Sequence, residues 1–245
     1  MDPSPATDRD LRIGLLVCGH VRPDALDVAG GDYPELFSAL FAPFGMEVTS
    51  YHVDEGRLPA SIDECDGWIT SPSRSSVLSD TGWVVELGSF VAELVARERP
   101  FAGICFGHQL LAQTLGGTVS RAPGGWGAGV QTYDVVEHRP WMDPPLDHYN
   151  LIASHEDQVI ELPPGGVVLA RADYCPIAAF EVGDRAIGVQ AHPEFSPELS
   201  RRLTTLRREL LGDEVADQAL ATLDRPLDRL TLVRWIANFI RSNAT

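Results

Sequence analysis

The chain has 245 residues, of which 44% are hydrophobic, and this is enough to bury the core of an ordinary α/β domain. Acidic residues outnumber basic ones by 35 to 19, and the formal net charge of -16 argues against a surface that binds nucleic acid. All the basic residues are arginines, so chemistry that needs a catalytic lysine is excluded as well.

The cysteines and the amino terminus indicate the kind of environment in which the chain folds. The four cysteines are widely spaced and form no C-x-x-C pair, so neither a zinc knuckle nor a disulfide scaffold is predicted. Residues 1–10 are polar and are expected to form a disordered tail and not a signal peptide. No stretch approaches the roughly 20 apolar residues that a membrane span needs. We therefore expect a cytoplasmic protein with reduced thiols and no membrane partner.

Strands alternate with helices in the first half of the chain. Apolar runs predict strands at residues 11–18, 46–53, 67–70 and 101–104. Helical periodicity predicts helices at residues 32–44, 83–97 and 108–115, the first of them capped by Asp32. This alternation predicts an α/β fold with a doubly wound, mostly parallel central sheet and helices on both faces. Ligands bind such sheets at the carboxyl ends of the strands, where the polar loop 71–80 lies.

The second half of the chain has shorter strands and ends in helices. Strands are predicted at residues 118–121, 130–137, 151–153, 167–171, 178–182 and 186–190. We expect them to form a small antiparallel extension of the sheet. Helices are predicted at residues 198–211, 214–223 and 228–240. Residues 11–245 are thus expected to form a single domain, whose last helices occupy residues 197–241.

A sharp turn around Cys105 is the first sign of chemistry. The segment Gly-Ile-Cys-Phe-Gly between a strand and a helix predicts a nucleophile elbow, with Gly103 and Gly107 leaving room for the turn. Cys105 lies at the amino end of the predicted helix, where the helix dipole favours a thiolate. The backbone N–H of Phe106 is expected to point at a developing oxyanion. A buried structural cysteine is the alternative, and the agreement of strand, glycines and helix disfavours it.

A thiolate nucleophile needs a base, and His192 in the segment G-V-Q-A-H-P-E-F is the best candidate. A strand of small residues ends there, which places His192 at the sheet edge that also holds the elbow. Glu194 can accept a hydrogen bond from the imidazole and fix its tautomer, which completes a Cys–His–Glu triad. For His108 and His155, structural and chemical roles both stay open. The other histidines are expected to be exposed: His20, His52, His138 and His148.

The segments G-I-C-F-G-H-Q-L-L-A-Q-T-L-G-G, S-H-E-D-Q-V and G-V-Q-A-H-P-E-F together resemble class I glutamine amidotransferases, above all the glutaminase domain of GMP synthase and its stand-alone relatives. The resemblance covers most of residues 11–195 and implies a flavodoxin-like fold. It implies that Cys105 attacks the γ-carboxamide of glutamine, that His192 moves the proton and that Glu194 orients His192. A γ-glutamyl thioester then forms and is hydrolysed, with no metal or organic cofactor.

The resemblance also implies which residues surround the reacting glutamine. The oxyanion is expected to be held by the N–H groups of Phe106 and Ser73, because Pro72 stands where relatives usually carry a glycine and has no N–H. Three residues match positions that hold the glutamine in relatives: Gln109, Ser154 and His155.

Three functions are compatible with these residues. The first is release of ammonia and glutamate from glutamine, with the ammonia passing to a separate synthetase subunit, since the sequence has no phosphate-binding G-x-x-x-x-G-K-[ST] loop. The second is hydrolysis of γ-glutamyl amides or peptides without a partner, as in plant γ-glutamyl peptidases. The third is a non-catalytic regulatory or scaffold protein, which the intact triad disfavours.

Overall fold

Strands and helices alternate along the chain in a computed structural model that describes residues 10–79 and 81–244. The strands are β1 (Leu11–Val17), β2 (Met46–His52), β3 (Gly67–Thr70), β4 (Phe101–Ile104), β5 (Thr118–Arg121), β6 (Gly127–Val135), β7 (His148–His155), β8 (Asp157–Glu161), β9 (Gly166–Ala172), β10 (Cys175–Val182) and β11 (Ala186–Val189). The α-helices are α1 (Leu26–Ala29), α2 (Tyr33–Phe41), α3 (Gly82–Ala96), α4 (Phe106–Thr114), α5 (Pro197–Leu206), α6 (Arg208–Leu211), α7 (Asp213–Ala221) and α8 (Arg229–Asn243). The tail predicted for residues 1–10 falls outside the described residues, apart from Asp10.

A nine-stranded sheet runs through the molecule in the order β2-β1-β3-β4-β11-β10-β9-β6-β7. The strands from β2 to β11 are parallel to one another, and those from β10 to β7 pair antiparallel. The predicted fold class, a doubly wound sheet with an antiparallel extension, is therefore confirmed. The extension is continuous with the main sheet, and β5 and β8 form a separate two-stranded antiparallel sheet.

Two hydrophobic cores cover opposite faces of the sheet. In β1 the side chains of Ile13 and Leu15 belong to one core and that of Leu16 belongs to the other, as the alternation of a strand requires. Helices α2 and α8 contribute to the first core, and α3 and α4 contribute to the second. From Ile13 to Val17 both faces of β1 are buried, and this part of its sequence is accordingly an uncharged run that does not alternate with polar residues.

Several local features differ from the expectations. The helix expected at residues 198–211 is interrupted at Arg207, which ends α5 and precedes α6. The sequence pattern does not predict strand β8, which begins with the polar residues Asp157 and Gln158; it forms because it pairs with β5 and buries Val159. Helix α2 begins as expected, with Asp32 and Glu35 forming a capping box.

In the described part of the chain, no helix combines the length and apolar character needed to cross a bilayer.

Candidate active site

Cys105 connects β4 to α4 in a strained conformation. Its φ is 49° and its ψ is -94°, which is rare for a residue with a side chain. The turn is tight: a Cβ on Gly103 would lie 2.4 Å from the carbonyl of Gly107, and a Cβ on Gly107 would lie 1.8 Å from Oγ1 of Thr70. The N–H of Cys105 donates to the carbonyl of Val189 at 2.8 Å, which ties the elbow to β11. Held strain of this kind commonly marks a functional site.

His192 and Glu194 form a buried pair at the end of β11. Nδ1 of His192 donates to Oε1 of Glu194 at 2.6 Å, so the lone pair of a neutral imidazole lies on Nε2, and the His192 side chain also interacts with that of Cys105. The backbone N–H of His192 donates to the carbonyl of Ile152 at 2.9 Å, and its ring stacks on Phe195 at 4.1 Å. Burial opposes protonation of His192, but the negative charges of Cys105 and Glu194 outweigh it and raise its pKa above the usual value.

Gln190 is a site residue that the sequence analysis missed. Its Nε2 lies 3.6 Å from Sγ of Cys105 as a donor, and its Oε1 accepts from Nε2 of Gln109 at 3.2 Å. The same Nε2 of Gln109 donates to the carbonyl of Asp157 at 2.7 Å. Gln190 follows β11 and lies two positions before His192, and this spacing was the available signal.

The two predicted oxyanion donors line the same cleft as Cys105. Phe106 is the first residue of α4, so its N–H has no acceptor within the helix. Ser73 lies on the loop after β3, which is anchored by Ser71: its Oγ accepts from the N–H of Cys18 at 2.8 Å and donates to the carbonyl of Pro72 at 3.0 Å. This anchoring uses no N–H of residue 72, and a proline is therefore compatible with the loop.

The cleft over Cys105 has a volume of about 380 Å³ and contains the three predicted glutamine-binding residues, Gln109, Ser154 and His155. His155 is buried, and Nδ1 lies 3.1 Å from the carbonyl of Asp157. Burial, and then the charge of His192, lowers the pKa of His155 to about 3, so its ring is neutral at physiological pH.

Arginines are prominent in this cleft and were also missed by the sequence analysis. They come from separate segments of the chain, so no local pattern connects them. The arginines that line the cleft are Arg22, Arg74, Arg121 and Arg207.

His108 lies beneath the elbow and does not line the cleft. Its ring is fully buried and packs edge-on against Phe180 at 4.9 Å. Burial lowers the pKa of His108 to about 4, so it is neutral at physiological pH. Of the two roles left open for His108, the packing supports the structural one.

A second group of polar side chains lies outside the cleft, after β1 and β2. The potential ligand atoms of His20, His52, Asp54 and Glu55 all lie within 4.8 Å of one another. His20 is bound on both sides: Nδ1 lies 2.5 Å from Asp32, and Nε2 lies 3.3 Å from Asp54. An ion-pair network therefore accounts for their proximity. His52 is partly buried, contrary to the expected exposure, because its ring stacks on that of His20.

The strand–cysteine–helix elbow and the buried His–Glu pair follow the carboxyl ends of β4 and β11, which are neighbouring parallel strands of the α/β sheet. A family model described as "Glutamine amidotransferase class-I" matches residues 32–209. This match covers most of the chain, and the chain therefore belongs to the class I glutamine amidotransferase family.

Relatives and solved structures agree with this assignment. Gamma-glutamyl peptidase 3 of Arabidopsis thaliana is 28% identical, over 86% of this chain and 89% of its own length. A GMP synthase of Aeropyrum pernix is 35% identical over 80% of this chain, but only 35% of that enzyme is covered. A glutamine amidotransferase structure from Thermotoga maritima has a TM-score of 0.75 at 18% identity, covering 96% of this chain and 97% of the other. The relatives and the family model indicate an enzyme of the hydrolase or amidotransferase type, and the solved structure shows that the fold is shared.

Proposed function

We propose that the protein hydrolyses γ-glutamyl amide bonds through a thioester on Cys105. The observation that carries this proposal is the strained Cys105 at the start of α4, opposite the buried His192–Glu194 pair. A cysteine in this position benefits from the helix dipole and from an adjacent imidazolium, both of which stabilise a thiolate.

In the proposed mechanism the Cys105 thiolate attacks the γ-carbonyl carbon, and the carbonyl oxygen becomes an oxyanion held by the N–H groups of Phe106 and Ser73. Nε2 of His192 gives its proton to the leaving nitrogen, and the C–N bond breaks. His192 then takes a proton from water, whose oxygen attacks the thioester carbon; the C–S bond breaks, glutamate is released, and the Cys105 thiolate and protonated His192 are restored. Glu194 keeps the imidazole in the required tautomer throughout.

A γ-glutamyl peptide is the substrate class that we favour over glutamine. Gamma-glutamyl peptidases 3 and 5 of Arabidopsis thaliana match 86% and 88% of this chain and about nine tenths of their own lengths. The cleft volume of about 380 Å³ lies in the range of pockets that bind drug-sized ligands. Such a cleft leaves room for a leaving group larger than ammonia.

The second candidate function is that of a glutaminase that supplies ammonia to a separate synthetase subunit. It is supported by the match to the GMP synthases of Aeropyrum pernix and Pyrobaculum aerophilum, of which the chain covers 35% and 31%. In this case we expect slow turnover of glutamine by the purified protein, because such a subunit works with its partner.

The test is the rate of glutamate release by the purified protein from γ-glutamylglycine and, in parallel, from glutamine. We expect faster release from the peptide, and loss of almost all release in Cys105→Ala. Cys65→Ala is the matched control because Cys65 is also buried but lies outside the cleft. Faster release from glutamine would favour the glutaminase. No Cys105-dependent release from either substrate would favour the non-catalytic scaffold.

A further inference from the structure

Positive charge is concentrated in the cleft of a strongly acidic chain. The formal net charge is -16, yet the side chains around Cys105 include several arginines. Two of them are neutralised by nearby carboxylates. Arg22 binds Asp24 at 2.8 Å, and Arg121 lies 3.6 Å from Glu156. The charges of Arg22 and Arg121 are therefore largely balanced by carboxylates of the protein itself.

Arg74 and Arg207 lack such a counterion. Within residues 10–79 and 81–244, no carboxylate lies within salt-bridge distance of either guanidinium. Arg207 is partly buried, and its Nη1 donates to the hydroxyl of Ser154 at 3.1 Å. Burial lowers the pKa of Arg207, and the charges of Arg22 and Arg74 act in the same direction. A desolvated guanidinium without an anion is unfavourable, so an anionic ligand would be bound strongly here.

The chemistry of a guanidinium selects the kind of anion. Its planar donors match the two oxygens of a carboxylate, which they bind as a pair of charge-assisted hydrogen bonds. A γ-glutamyl peptide carries two carboxylates, one on the glutamyl α-carbon and one at the end of the leaving group. Glutamine carries only the first, since its leaving group is ammonia. Two uncompensated arginines therefore match a γ-glutamyl peptide better than they match glutamine.

The positions of the two arginines indicate which carboxylate each one binds. Arg207 is the more buried of the two, and it lines the same cleft as Cys105 and donates to Ser154, one of the predicted glutamine-binding residues. The α-carboxylate belongs to the γ-glutamyl group itself, and we assign it to Arg207 because Arg207 is held beside Ser154, which is expected to contact that group. Arg74 is exposed, next to the oxyanion residue Ser73 on the loop after β3. A leaving group extends from the reacting carbon towards the cleft rim, where Arg74 is available.

We infer that Arg207 binds the α-carboxylate of the γ-glutamyl group and that Arg74 binds a carboxylate of the leaving group, so that the substrates are γ-glutamyl peptides with a free carboxyl terminus. This inference rests on the proposed hydrolysis of γ-glutamyl bonds. It assigns a substrate preference to two side chains that the thioester chemistry itself does not use.

The test compares γ-glutamylglycine with γ-glutamylglycinamide, which differ only in the leaving-group carboxylate. We expect wild-type kcat/KM to be about tenfold higher for the acid, as a charge-assisted hydrogen bond at a partly exposed site implies. Arg74→Gln is expected to abolish this preference by lowering kcat/KM for the acid, while kcat/KM for the amide stays unchanged. Arg207→Gln is expected to lower kcat/KM for both γ-glutamyl compounds and for glutamine. Arg207→Lys is expected to retain part of the kcat/KM that Arg207→Gln loses. Arg171→Gln, an exposed arginine outside the cleft, is the control.

Calorimetric binding of the two compounds to Cys105→Ala separates this inference from the proposed function. Tighter binding of the acid that disappears in Cys105→Ala/Arg74→Gln supports the subsite, even when the wild-type protein releases no glutamate. Equal binding and equal turnover of acid and amide would overturn it, and so would the failure of Cys105→Ala to bind either compound. A loss in Arg74→Gln that is equal for acid and amide would also contradict the assignment.

Discussion

Glu194→Gln tests the role of the buried carboxylate most closely. The side chain of Glu194 has 0% exposure, and its Oε1 accepts a 2.6 Å hydrogen bond from Nδ1 of His192. Glutamine is nearly isosteric but carries no charge, so the substitution removes the charge with little change of volume. Because the negative charge of Glu194 is one of the causes that raise the pKa of His192, that pKa is expected to fall in the variant.

The size of the effect follows from the strength of the bond. A hydrogen bond to a charged group contributes about 1.5–3 kcal/mol, and solvent does not screen it in this buried pair. At about 1.4 kcal/mol per pH unit, the pKa of His192 is expected to fall by about one to two units. His192 acts as an acid only when it is protonated, and in the variant it loses this proton at a lower pH than in the wild type. We therefore expect the alkaline limb of kcat/KM to shift to lower pH by about one to two units, with a loss of about 10- to 100-fold on that limb and little change at neutral pH, where His192 stays largely protonated.

The assay is glutamate release from γ-glutamylglycine, measured as kcat/KM across the pH range in which the protein stays folded. Glu198→Gln is the matched control, since it makes the same chemical change at an exposed position in the first turn of α5. Its pH profile is expected to follow that of the wild type. If the profile of Glu194→Gln also overlays the wild type, then Glu194 does not act on His192 as argued.

Three further substitutions test the elbow, the cysteine environment and a helix cap. In Gly107→Ala the new Cβ lies 1.8 Å from Oγ1 of Thr70. We therefore expect the free energy of unfolding, measured by thermal unfolding, to fall by about 1–3 kcal/mol and the activity to be lost. At Gly82 a new Cβ has open space, so Gly82→Ala is expected to have neither effect. Gln190→Leu removes the donor to the Cys105 sulfur and the acceptor of Gln109, and kcat/KM is expected to fall about tenfold. Asp32→Ala removes both the cap of α2 and the partner of His20, and urea unfolding is expected to show that the free energy of unfolding falls by at least about 1 kcal/mol.

Local patterns were sufficient to predict the parallel half of the sheet and the turn at its centre. Strands β3 and β4 have the predicted bounds, because their apolar runs are short and end at clear turn residues. The conformation of Cys105 could be anticipated for a similar reason: Gly103 and Gly107 permit a turn that other residues would block.

Non-local interactions account for the features that could not be predicted. Strand β8 begins with polar residues and is stabilised by pairing with β5, which lies about forty residues earlier in the chain. The cleft arginines come from separate segments, and Arg207 follows α5 near the end of a helical pattern that predicts no break. Gln190 contacts Cys105 because β11 lies beside β4 in the sheet, and this strand order cannot be predicted from local sequence patterns.

The most direct test of the central claim is covalent labelling by a diazoketone analogue of glutamine, followed by peptide mapping by mass spectrometry. The account predicts one label per chain, on Cys105, and loss of glutamate release in proportion to labelling. The other cysteines, Cys18, Cys65 and Cys175, are buried with raised pKa values and are expected to stay unmodified. A label on another residue, or full activity in a chain labelled at Cys105, would contradict the assignment of Cys105 as the nucleophile.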